Sequence, residues 1–115
     1  MIKIFFRKKE DFYEVEATGH SLFDKKNKDV VCAAVSVLLQ SWYFSTKELC
    51  SEKISHKQGN GFFYSGFSSV KDCVLILLNS LMFSLLMLEK QYPNNICVSM
   101  EGYNGWKQYS EKWKR

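Results

Sequence analysis

Asp29-Val-Val-Cys-Ala-Ala-Val-Ser-Val-Leu-Leu-Gln-Ser-Trp-Tyr-Phe-Ser45 is almost continuously apolar, and whether it forms a strand or a helix decides the fold. Its valines favour a strand. Its length does not: roughly sixteen residues containing Ala33-Ala34 and Leu38-Leu39 exceed the ~4–8 of a buried strand, so the stretch predicts a buried helix. Asp29 supplies the N-cap, its carboxylate accepting from the N–H of the second or third helical residue, and the third is Cys32. Cys32, Ser36 and Gln40 recur every fourth residue and form the only polar stripe of this helix.

Immediately upstream, Ile2, Ile4 and Phe6 alternate with Lys3, Phe5 and Arg7, then Lys8-Lys9-Glu10-Asp11 interrupts, and Tyr13, Val15 and Ala17 alternate with Glu14 and Glu16. This pattern predicts a hairpin of two strands whose second strand delivers Gly19-His20 to a loop. Ser21-Leu22-Phe23-Asp24-Lys25-Lys26-Asn27-Lys28 has no periodicity and reads as a mobile loop. The loop thus has an imidazole at one end and, just past the other, a thiol in the first turn of a helix.

Downstream, Leu49 to Ile54 and Gly61 to Ser65 are short strand candidates around the turn sequence His56-Lys57-Gln58-Gly59-Asn60-Gly61. Ser69 with Asp72 resembles a capping arrangement for a long helix over about Val70 to Tyr92. The centre of that helix, Cys73 to Leu88, is the most apolar segment. Interrupted by Asn79, Ser80 and Ser84, it falls short of the ~20 apolar residues a membrane span needs and reads as a core helix with no membrane partner. An all-round apolar surface predicts packing on the sheet on one side and on the first helix or a second subunit on the other, hence a homodimer. Pro93 ends the helix, and Ile96, Val98 and Met100 form a last strand. The expected class is α+β, a small, mostly antiparallel sheet packed with two helices in the order ββαββαβ.

With 115 residues, 46% of them hydrophobic and only one proline, the chain suits one compact unit, assigned to residues 1–101 with a tail over 102–115. The net charge of +4 is concentrated in that tail, where Lys107, Lys112, Lys114 and Arg115 stand against Glu111, so the body shows no basic face of its own. Trp106, Tyr109 and Trp113 share one face at helical spacing and predict packing onto the body, while the lysines among them leave RNA contact by the tail open. The N-terminus lacks a secretory signal, and Cys32, Cys50, Cys73 and Cys97 show no C-x-x-C spacing. These features predict a cytoplasmic protein with reduced thiols, in which Cys50, Cys73 and Cys97 are small buried hydrophobes.

Cysteine catalysis needs a thiolate, a base beside it and donors for the oxyanion. His20 can take the thiol proton and return it to a leaving amine, Cys32 can attack, and the N–H groups of the helix start can favour the thiolate and bind the oxyanion. Asp29 caps the helix and could orient His20. Ser36, one turn on, is ordinarily a helix serine bonded to a backbone carbonyl, though it can reach the thiol or a water. No metal or cofactor is expected, since only His20 and His56 are present and no ligand pair has local zinc spacing. A histidine and a cysteine at this separation are more often structural than catalytic. A non-catalytic ribosome- or RNA-associated module using the tail, and a thiol redox sensor at Cys32, therefore stand as alternatives.

Gly19-His20, then Asp29-Val30-Val31-Cys32-Ala33 and Ser36, resemble the motif of the ribosomal-processing cysteine protease family Prp, and the order of elements over residues 1 to 101 is similar to that family's. The resemblance implies a homodimeric endopeptidase with His20 and Cys32 as the catalytic pair and Gly19, Asp29 and Ser36 in support. It implies that residues Ser21 to Lys28 are a flap that orders over a peptide. It also implies a substrate, the N-terminal extension of a large-subunit ribosomal protein, the bacterial-type twenty-seventh. Ser21 and Lys28 depart from the family's common Ala after the His and Gly before the Asp, and residues 102–115 match no family segment.

Overall fold

A computed structural model describes residues 1–25, 28–69 and 71–102. The chain forms β1 (Ile2–Lys9), β2 (Phe12–Thr18), α1 (Val30–Leu49), β3 (Ser55–Gly59), β4 (Phe62–Ser68), α2 (Asp72–Gln91) and β5 (Ile96–Glu101), the expected α+β order. The five strands make one sheet in the order β3-β4-β2-β1-β5, antiparallel except for β5, which runs parallel to β1. A parallel neighbour needs a crossover connection, and α2 is that crossover, returning the chain from β4 across the sheet to its opposite edge.

Alternation sets which face of the sheet is covered. Ile4, Phe6, Val15, Phe63 and Phe67 point to one side and are buried there with Val31, Val35 and Leu39 of α1 and Val74, Leu78 and Leu85 of α2. Each such side chain contributes about 1.5–3 kcal/mol on leaving water, so this single layer of contacts dominates the stability. The opposite face of the sheet is polar and open. There Arg7 pairs with Glu16 at 3.0 Å, and Tyr64 donates to Glu14, which with burial and the nearby carboxylates pushes the phenol up to about 12.

α2 is 20 residues long and apolar enough by length and composition to cross a membrane, but Val74, Leu78, Leu81, Met82 and Leu85 are buried in the core. Its remaining surface meets α1 along one flank, while Ile76 and Met87, like Val37 and Phe44 of α1, stay exposed.

Several boundaries differ from the sequence reading. Leu49 to Ile54 is not a strand: α1 continues to Leu49, which is exposed, and the chain leaves the helix through Ser51 at φ +52°. The apolar pair Leu49-Cys50 belongs to the last turn, and β3 starts only at Ser55. Glu52 then fastens the exit, pairing with Lys71 at 3.1 Å and accepting from Ser69. Ser69 and Asp72 do not form a capping box, because Lys71 is the N-cap and the Ser69 hydroxyl accepts from the Lys71 N–H instead. The tail from Tyr103 onward, with the expected packing of Trp106, Tyr109 and Trp113 and the RNA contact, lies outside the described residues.

The thiols need a larger correction. Cys50, the C-cap of α1, is disulfide-bonded to Cys73 in the first turn of α2, with Cα atoms 5.7 Å apart. These two are therefore a cross-link between helix ends rather than a pair of buried thiols. Cys97 is free and exposed, since on β5 it points away from the side taken by buried Ile96. Closing a loop with a separation of 23 residues should stabilise the fold by about 3 kcal/mol through the entropy of the unfolded chain. Denaturant unfolding should show that loss on adding a reductant, and Cys73→Ser should show it without reductant and respond no further to one.

Candidate active site

The site is assembled where β2 ends, α1 begins and the β3–β4 hairpin turns. Gly19 closes β2 at φ +95°, and a Cβ there would run into the Met1 carbonyl, so only glycine lets the N-terminal chain pass this close. Its N–H donates to the Gly61 carbonyl at 2.9 Å, tying the end of β2 to the hairpin turn. Gly61 has φ +69°, and a Cβ on it would lie 2.7 Å from Nε2 of His20. The exposed imidazole therefore rests on the bare backbone of the hairpin. The sequence presents Gly61 only as a turn glycine, and nothing in its local pattern signals that it is also the floor beneath His20.

Asp29 is buried and organises the opposite wall. Its Oδ1 accepts from the N–H groups of Val31 and Cys32 at 3.0 and 2.9 Å, the expected N-cap. Its Oδ2 accepts from the Ser21 hydroxyl and from the N–H groups of Phe23 and Asp24, the last two at 3.1 and 3.4 Å. Burial alone would raise this carboxyl, but the hydrogen bonds from Ser21, Cys32, Asp24 and Phe23 outweigh it and hold the group at about 2. Asp29 bonds to the loop and not to His20, so the imidazole is placed by the hairpin rather than by this carboxylate.

The loop over residues 21–28 is thus anchored at its base. Ser21 is 1% exposed, and its carbonyl accepts from Nδ2 of Asn95 at 2.8 Å, a link from the start of β5 that sequence reading does not reveal. Leu22 is exposed at φ +57°, Phe23 stands edge-on to Tyr92 at 5.2 Å, and the Lys28 N–H closes back on the Lys25 carbonyl at 2.8 Å. Lys26 and Asn27 lie outside the described residues.

Cys32, half-buried at the third position of α1, shares one cavity of about 630 Å³ with Gly19, His20, Asp29, Ser36, Gly61 and Phe62. That volume is in the range of pockets that hold small ligands or a few residues of an extended chain. The sulfur bonds to Ser21 rather than to His20: it accepts from the Ser21 N–H at 3.4 Å and donates to the Ser21 hydroxyl at 3.3 Å. Ser36 lines the cavity too, but its hydroxyl accepts from Gln40 at 2.6 Å and is not on the thiol. The helix-start N–H groups expected to bind an oxyanion are in part occupied, since those of Val31 and Cys32 are already held by Asp29.

Because the Asp29 carboxyl sits lower in the fold than its ordinary 3.8, its ionised form stabilises the native state at every pH above that value. The contribution is lost as pH falls through about 2. The difference in unfolding free energy between the unaltered chain and Asp29→Asn should accordingly be flat above about pH 4 and shrink steadily towards pH 2. A difference independent of pH across that window would show that the carboxylate is not the group holding the loop and helix together.

The profile of the family described as cysteine protease Prp matches residues 1–97. No curated protein sequence matches this one significantly. Among solved structures, an essential ribosomal processing protease Prp from S. aureus, in complex with a covalently linked product peptide, is 24% identical. Its TM-score is 0.79, with 87% of this chain and 99% of that one covered. A second structure of the S. aureus protease, with a substrate peptide, has a TM-score of 0.74 at 23% identity and the same coverage, 87% and 99%. SMU.848 from Streptococcus mutans has a TM-score of 0.71 at 22% identity, covering 88% and 97%. Such identities carry the shared fold alone, whereas the family profile spans most of the sequence: the chain belongs to the cysteine protease Prp family.

Proposed function

We propose that this cysteine protease cleaves its substrate by attack of the Cys32 thiolate, with His20 as base and then acid. We further propose that the substrate is the N-terminal extension of a large-subunit ribosomal protein, the bacterial-type twenty-seventh. The observation that carries the chemistry is the placement of His20 and Cys32 on one cavity, the imidazole on Gly61 and the thiol in the first turn of α1. The peptides bound by the S. aureus protease Prp support an extended peptide as ligand, and the resemblance in motif supports the ribosomal target.

In this reading neutral His20 accepts the Cys32 proton, and the sulfur adds to the scissile carbonyl carbon. The imidazolium then gives that proton to the leaving amine as the C–N bond breaks, leaving a thioester on Cys32. Water attacks the thioester carbonyl with His20 again as base, the C–S bond breaks, and the acid product departs with the thiol restored. Since Asp29 occupies the N–H groups of Val31 and Cys32, its part is structural: it fixes where the sulfur stands while other donors meet the oxyanion. The anchored loop from Ser21 to Lys28 would close over the peptide through its exposed Leu22 and Phe23.

We also propose that the protein acts as a homodimer, supported by the exposed Val37, Phe44, Ile76 and Met87 on the helix layer. Sedimentation at micromolar concentration should give a dimer, and a monomer would refute that assembly.

Incubation with the cognate ribosomal protein should release its N-terminal extension. Cys32→Ala should abolish cleavage, and His20→Ala should slow it by at least about a hundredfold; cleavage undiminished in Cys32→Ala would sink the mechanism. Gly61→Ala, which forces a Cβ against the imidazole, should slow cleavage without preventing folding. Its effect should show in kcat more than in KM, because it displaces the base and not the peptide.

A further inference from the structure

The expected flap begins at Ser21, yet Ser21 is the most enclosed polar residue around the sulfur, and its hydrogen bonds have a direction. Asp29 is ionised at neutral pH, so it only accepts, and the single proton of the Ser21 hydroxyl is committed to its Oδ2. The Ser21 oxygen accepts from the Phe23 N–H at 3.4 Å with one lone pair and faces Sγ of Cys32, 3.3 Å away, with the other. Towards the sulfur it has no proton to give, so that contact is a hydrogen bond only when the sulfur carries an S–H donor. The Ser21 N–H, 3.4 Å from the sulfur, suits thiol and thiolate alike.

We propose that Ser21 is a positioning residue that holds Cys32 in a resting thiol state, with the S–H turned towards the Ser21–Asp29 pair and away from His20. The neutral thiol makes two bonds to Ser21, whereas the thiolate keeps the N–H and meets an oxygen lone pair at contact distance. Passing the proton to His20 therefore requires the S–H to turn away from the Ser21 oxygen and give up that bond, so nucleophile formation carries the cost of losing it. Among the described residues, the other titratable groups on this cavity are His20 from the end of β2, Asp24 from the loop and Asp29 from the helix start. The residues the hairpin wall contributes, Gln58, Asn60 and Phe62 among them, carry no charge, and of those α1 contributes only Cys32 titrates. The hydroxyl is thus the group whose removal shifts the balance without altering charge. This inference rests on Cys32 being the proposed nucleophile, but its test does not use the proteolytic reaction.

The test is the pH profile of Cys32 alkylation by iodoacetamide, read by peptide mass in the full chain carrying Cys97→Ser, because exposed Cys97 would compete for reagent. Adding Ser21→Ala should move the midpoint to lower pH and speed alkylation about fivefold below that midpoint, the scale of one weak hydrogen bond. A midpoint unchanged or moved upward overturns the proposal. Should Ser21→Ala fail to fold, the S–H stretching band of the Cys97→Ser chain decides, since Cys50 and Cys73 are bonded and Cys32 is the remaining thiol. A narrow band at lower frequency than that of exposed Cys97, recorded in the Cys32→Ala chain, supports the S–H donor, and a band at the same position refutes it. Undiminished proteolysis by Cys32→Ala would remove the mechanism proposed above while leaving these readings of Ser21 intact.

Discussion

One buried carboxylate holds the site together. Asp29 takes two N–H groups of the helix start on one oxygen, and two N–H groups and a hydroxyl of the preceding loop on the other. Each segment would otherwise leave one buried donor unpaired, the Ser21 hydroxyl in the loop and the Val31 N–H in the helix start, at about 1–3 kcal/mol each, so neither settles well without the other. The position of Cys32 follows from this, since it is fixed by the same carboxylate that ends the loop. An N-cap is ordinarily a local device; here it is the joint between two walls of a cavity.

The joint has an electrostatic consequence. A helix start offers unpaired N–H groups that favour an anion, and a cysteine in the first turn reads as a thiolate held by them. Asp29 satisfies the N–H groups of Val31 and Cys32 and places a full negative charge beside them. The sulfur then depends on its immediate contacts, the amide and hydroxyl of Ser21 on one side and the imidazole across the cavity on the other. In the mechanism proposed above, nucleophile formation is then a contest between two neighbours rather than a gift of the helix.

The parts of the fold that rest on local rules were legible in the sequence. Alternation located β1 and β2, length separated α1 from a strand, and the Asp29 cap put Cys32 at the third helical position. Interactions across long separations were not legible. Leu49-Cys50 looks like the start of a strand until Cys50 is seen to meet Cys73, because one apolar pair carries no period of its own. Ser21 reads as loop because its partners, Asp29, Cys32 and Asn95, lie 8, 11 and 74 residues away. Gly61 reads as a turn because no sequence pattern records which ring lies on it.

The parallel strand explains why these distant residues meet. Had β5 joined the sheet through a hairpin, its first residues would not have arrived at the end where β1 begins. The crossover through α2 pairs Ile2 with Ile96 instead, and the Ile2 N–H donates to the Asn95 carbonyl at 2.9 Å. Asn95 is thereby set beside the end of β2, antiparallel to β1, where its side chain reaches the Ser21 carbonyl. The Met1 carbonyl crowds Gly19 at the same end, so the first, middle and last strands converge on the two residues that flank His20. Sheet topology thus fixes the imidazole side of the cavity as Asp29 fixes the thiol side, and Ser21, bonded to both, is where the two constraints meet.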